Sequence, residues 1–123
     1  MKLHVVYRSP NSKKTNDDDL CSWVKLMKGS NVLIGDLNFP DIDWQTGRAG
    51  AKGRDFLEAT MEVFMDQHVR FPTHASGNII DLVLCNREDM IQAVRAKGRV
   101  GKSNHDLIAF QLCLREKKET NTR

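Results

Sequence analysis

Apolar positions recur along this chain with two different periods, and the changes of period divide it into strands and helices. "LHVVY" is a short run rich in β-branched residues, which predicts a strand ending at Tyr7. The Pro, Ser and Asn content of "RSPNSKKTN" predicts a loop. Leu20, Trp23, Val24 and Met27 then fall at i, i+3, i+4 and i+7, one face of a helix. Asp17, Asp18 and Asp19 suit its positive N-terminal end, Lys25 and Lys28 its last turn, and Gly29 its stop. "NVLIG" is apolar, of strand length and closed off by Gly and Pro, which predicts a buried strand.

A long loop, from Asp36 to Gly53, comes next. A second helix is predicted from about Arg54 to Gln67, with Leu57, Met61, Phe64 and Met65 on one stripe. After the "RFPTHASG" loop, "NIIDLVLC", "IQAVRAK" and "DLIAFQLCL" predict three more strands. In the last, Ile108, Phe110, Leu112 and Leu114 alternate toward one side. The order β-α-β-α-β-β-β predicts a layered α/β domain over residues 1–115, followed by a polar tail at 116–123.

Composition narrows the class without choosing a function. Hydrophobic residues make up 40% and charged ones 28% of the chain, as in ordinary soluble globular proteins. No apolar run approaches a membrane span, and "MKLHVVYRSP" has too short an apolar core for a signal peptide. Cys21, Cys85 and Cys113 are odd in number with no CxxC pair, which predicts reduced thiols in an intracellular (nuclear or cytoplasmic) protein. A net charge of +3 and a pI near 8.9 are compatible with a nucleic-acid partner.

Three polar sites interrupt the apolar pattern. Asp36 and Asn38 follow the carboxyl end of a buried strand, the edge where open α/β sheets place ligands. A carboxylate beside an amide can polarise a water and hold a phosphate oxygen, although the same residues also suit an Asx-type turn. Asp81 shares a strand face with Ile79 and Val83. Buried there unpaired, it would cost on the order of several kcal/mol, so it needs a partner or an edge position facing water. His105 precedes the last strand and is a candidate for that partner, because an Asp–His pair fixes the imidazole tautomer and favours its charged form. Arg95, Lys97, Arg99 and Lys102 place four cations in eight residues nearby, a phosphate-binding patch or a solvated turn.

Taken in order, Tyr7 in "VYRSPN", then "IGDLN", "IIDLVL" and "SNHDLI" resemble the C-terminal motifs of the endonuclease/exonuclease/phosphatase superfamily. "GDLNFPDIDW", "FPTH" and "DLVLCN" resemble in particular the endonuclease domains of non-LTR (LINE-type) retrotransposons. The resemblance implies a four-layer α/β/β/α sandwich of the DNase I-like type, of which this chain carries the C-terminal half. It implies Mg²⁺- or Mn²⁺-assisted hydrolysis of DNA phosphodiesters. Asp36 would activate the attacking water, and Asn38 would hold a phosphate oxygen. His105 would stabilise the transition state, Asp81 would orient His105, and Tyr7 and Asn11 would contact the phosphate region. Asp36 and Asn38 are also possible metal ligands.

The resemblance has two departures. Ser103-Asn104-His105 stands where the family has Ser-Asp-His, so Asn104 replaces a metal-proximal carboxylate by a neutral amide. His74 stands where the retroelement pattern usually has Arg. The family's principal metal-binding glutamate belongs to an N-terminal half, and no Glu occurs among the six residues before Tyr7. The expectation is a fragment with weak or no activity alone, whose open sheet is covered by a second copy or another chain. The alternative is a non-catalytic remnant that binds nucleic acid or protein. A phosphatase for small phosphorylated molecules would share the same core, and "FPDIDW" and "DLVLCN" argue against it.

Overall fold

The computed structural model describes residues 1–99 and 101–113; the expected tail at 116–123 and Leu114 lie outside them. The described elements are β1 (Lys2–Tyr7), α1 (Lys14–Lys25), β2 (Asn31–Asp36), β3 (Ile42–Asp43), β4 (Arg48–Ala49), α2 (Arg54–Glu62), β5 (Asp66–Gln67), β6 (Asp81–Cys85), β7 (Ile91–Arg99) and β8 (Asp106–Leu112). A four-stranded sheet has the order β1-β2-β6-β5, with β1 parallel to β2 and the other pairs antiparallel. β3 and β4 form a small hairpin, and β7 and β8 a longer one.

Side chains alternate across the central strands, so each face of the sheet has its own core. Leu33, Leu82 and Leu84 point to the helices and pack with Val24, Phe56 and Leu57. Val32, Val83 and Cys85 point the other way, toward Met90, Ile91, Ile108 and Phe110 of the β7–β8 hairpin and its approach. The near-continuous apolar reading of "NVLI" and "DLVLC" follows from burial on both faces. The hairpin leaves the β1 side of its face open: Leu3, Val5 and Tyr7 are 51%, 75% and 71% exposed.

Four boundaries differ from expectation. α1 begins at Lys14, earlier than its aspartates suggested, so only Asp17 lies in the first turn. α2 stops at Glu62, because Phe64 adopts φ 59° and turns the chain into β5, which pairs with β6. Met61 and Phe64 consequently face solvent, and the buried face is Phe56, Leu57, Ala59 and Thr60. Asp81 opens β6; it is not in mid-strand. The loop after Asp36 is also built. β3 pairs with β4, Asp43 Oδ1 accepts the amides of Gln45 and Thr46, and Asp41 Oδ2 accepts that of Gly53. Asp41 and Asp43 therefore shape the loop.

Candidate active site

Strand register assembles the centre of the site. Asp36 ends β2 and is the register partner of Asp81 at the start of β6, while Tyr7 is the partner of Asp36 on its other side. Asp36 continues the row of Val32 and Ile34, and Asp81 that of Val83 and Cys85, so both carboxylates belong to the hairpin face. His105 arrives from the third direction. The Ala75 amide donates to the Asn104 carbonyl at 2.9 Å and the Asp106 amide to the Thr73 carbonyl at 2.9 Å, which clips the approach to β8 onto the 73–75 loop.

The result is an imidazole between two carboxylates. His105 Nδ1 lies 2.8 Å from Asp81 Oδ2, and Nε2 lies 3.6 Å from Asp36 Oδ2. The Asp81 bond fixes the ring with Nδ1–H as donor, so Nε2 faces Asp36. The His74 ring packs edge-on against His105 with centroids 5.0 Å apart. Hydrogen bonding to Asp81, then the charges of Asp81 and Asp36, raise the His105 pKa above its ordinary value against partial burial. Burial, and next the facing Asp81 carboxylate, raise the Asp36 pKa, with His105 and Asn38 opposing. Groups pushed apart or upward in this way by a shared environment are typical of acid–base sites.

Asp36, Asp81 and His105 each offer a ligand atom within 4.8 Å of one another, the one such group of His, Cys, Asp or Glu among the described residues. Asp36 Oδ1 is buried with no hydrogen-bond partner among them, an unsatisfied acceptor of the kind a cation or water fills. Asn38 sits at φ 50° and donates Nδ2 to the Arg8 carbonyl at 2.6 Å. The two carboxylates of that group are hard oxygen donors of the kind that suits a divalent ion keeping several of its waters.

The other predicted residues fall around this centre. Tyr7 stands exposed on the rim. Asn11 lies in the β1–α1 loop, lining a cleft of about 680 Å³ with Tyr7 and Ser9, outside the Asp–His group. Asn104 is exposed, held through its backbone carbonyl. Arg95, Lys97 and Arg99 on β7 and Lys102 in the turn are exposed; Arg99 pairs with Asp106 at 3.6 Å, so the cationic end of the hairpin is the end carrying His105.

Sequence reasoning missed Thr73 and Arg8. Thr73 is fully buried, and its Oγ1 accepts the amides of Ile80 and Asp81, each at 3.1 Å. The available signal was a hydroxyl residue inside "FPTH", immediately before a loop that must deliver Asp81. Arg8, in "YRSP", is a nearly buried cation behind Asn38.

A helix layer on a mixed sheet, with carboxylates at adjacent strand ends and a histidine from the next hairpin, is the architecture of a DNase I-like endonuclease domain. A family described as endonuclease-reverse transcriptase matches residues 1–109, and the chain belongs to that family. It superposes with a TM-score of 0.67 on the endonuclease domain of TRAS1, a telomere-specific non-LTR retrotransposon, at 18% identity, covering 86% of this chain and 52% of that one. The chain thus spans about half the length of that domain. No curated protein matches it.

Proposed function

We propose that the Asp36–Asn38–Asp81–His105 constellation is a phosphodiester-hydrolysing site for DNA. The observation that carries this is His105 held by Asp81 with its free nitrogen turned toward Asp36. Asp36, made more basic by burial and by Asp81, takes the proton of an attacking water. His105, whose cationic form Asp81 favours, donates from Nε2 to the phosphate oxygen on which negative charge grows. Asn38 holds a second oxygen through its amide, and Tyr7 borders the same rim. Asp36 and Asn38 would hold a Mg²⁺ or Mn²⁺ ion, whose charge would help stabilise the leaving oxygen. Exposed Arg95, Lys97, Arg99 and Lys102 give the flanking duplex a basic contact.

In this proposal the chain alone turns over DNA weakly or not at all. Of the two carboxylates in reach, Asp81 is committed to His105, and Asn104 is neutral, so few anionic oxygens remain to hold the ion. Removing one well-placed stabilising group costs about a hundredfold in rate. The second reading is a non-catalytic nucleic-acid- or protein-binding module, favoured by the exposed cations of the hairpin and the open face at Leu3 and Val5. Nicking of supercoiled plasmid, with Mg²⁺ and with EDTA, separates the two. Slow metal-dependent nicking abolished by His105→Ala supports hydrolysis, and binding that survives His105→Ala with no nicking at any metal concentration supports the second reading.

A further inference from the structure

Arg8 is 6% exposed, and every nitrogen of its guanidinium is engaged. Nε and Nη2 donate to the two oxygens of Asp17 at 2.7 and 2.8 Å, a bidentate fork onto α1. Nη1 donates to the carbonyls of Leu37 and Asn38 at 3.2 and 2.7 Å, and the cation stacks 3.9 Å over the Phe39 ring. The Arg8 backbone joins in: its amide donates to the Asp36 carbonyl at 2.8 Å, and its carbonyl accepts Asn38 Nδ2 at 2.6 Å.

One residue therefore grips three consecutive residues of the site loop from both sides, including Asn38 in its left-handed conformation. A lysine has three donors on a single nitrogen and no planar fork, so it cannot reproduce the four bonds to both Asp17 oxygens and two carbonyls. The geometry points to Arg8 as a positioning residue, locked by Asp17, that fixes the direction in which the Asn38 amide faces the site; the functional meaning of that direction rests on the hydrolytic reading above. It touches no reacting atom. Its role is to keep Asn38 from relaxing to an ordinary backbone conformation and swinging its side chain away from Asp36.

The test is Arg8→Lys, read by NMR without metal or DNA, so that it stands or falls separately from hydrolysis. The Asn38 side-chain NH₂ pair is expected to be well dispersed and slow to exchange in the parent chain. In the variant it moves to solvent-like shifts and exchanges at least tenfold faster, while the Nδ1 contact of His105 with Asp81 keeps its imidazole signature. Asp17→Asn, on the partly solvated helix side of the fork, serves if Arg8→Lys does not fold, and produces the same change in smaller measure. An unchanged Asn38 amide in whichever variant folds overturns the inference. So does loss of the His105 signature to the same degree, since that reports general loosening with no selective effect on Asn38.

Discussion

Replacing Thr73 by Val keeps the side-chain shape and removes one atom, Oγ1. That oxygen accepts the amides of Ile80 and Asp81 at 3.1 Å in a site with no solvent exposure. The Ile80 amide is left buried and unpaired, at about 1–3 kcal/mol. The Asp81 amide is less enclosed and can recruit water, so its loss lies at the low end of that range. The sum is about 2–4 kcal/mol, a large share of the ~5–15 kcal/mol that stabilises a typical domain. Thr73→Ser keeps the acceptor and gives up a methyl group, about 1 kcal/mol. Equilibrium urea denaturation measures both: the midpoint falls further for Val than for Ser, with the slope unchanged. A Val variant within about 0.5 kcal/mol of the parent, or more stable than the Ser variant, refutes the claim that this hydroxyl secures the Asp81 turn.

Gly35 has φ 149°, and a Cβ there would lie 1.7 Å from the Val6 carbonyl oxygen. Gly35→Ala therefore pushes β1 off β2 and costs about 3 kcal/mol or more by the same denaturation assay. Asp81→Asn removes the main cause of the raised His105 pKa, so the imidazole titration, followed by NMR, moves down; an unmoved titration contradicts the pairing. The pH sign follows from that rise. The stabilisation from protonated His105 is full below its unfolded value and is lost as pH climbs through the folded pKa, and it is small because the side chain is 36% exposed. Asp17 works the other way. Arg8 lowers its pKa, so its contribution is present above the ordinary carboxylate value and disappears as pH falls through the lowered one, which an acid-denaturation curve of Asp17→Asn should show as a loss of pH dependence. Lys97→Ala on the hairpin reduces the salt dependence of duplex binding by about one unit of slope, and an unchanged slope contradicts a phosphate contact there.

The parts of this fold that sequence made legible are those ruled by local periodicity. "NVLIG" and "DLVLC" are buried on both sides and so carry an unbroken apolar run, and the Val24 face of α1 carries the 3.6-residue repeat. α2 is shorter than its periodicity predicts, because Phe64 and Met65 keep the helical spacing while a positive φ at Phe64 ends the helix, and that exposed phenylalanine has no sequence signature. β3, β4 and β5 are two-residue strands, too short for any period to register. Around the site, Asp36, Asp81 and His105 drew attention because each is a polar residue at an apolar boundary. Thr73 and Arg8 did not, because what they hold is backbone: the amides of Ile80 and Asp81 a loop's length on for Thr73, and for Arg8 the carbonyl of Asn38, 30 residues on. Among the described residues no helix is long and apolar enough to cross a membrane. Cys21 and Cys85 are buried free thiols and Cys113 is a half-buried one.

Because slow turnover is itself expected, occupancy of the site tests the central claim more directly than rate. The measurement is an NMR titration of the chain with a short DNA duplex at saturating Mg²⁺, following the His105 imidazole and the Asp36 carboxyl carbon. Saturable shifts at both, absent with EDTA and absent at the Asn86 side chain just past the far end of β6, are the result predicted for a phosphodiester seated between Asp36 and His105. Binding that shifts only the hairpin from Arg95 to Lys102 and leaves Asp36 and His105 untouched would contradict it.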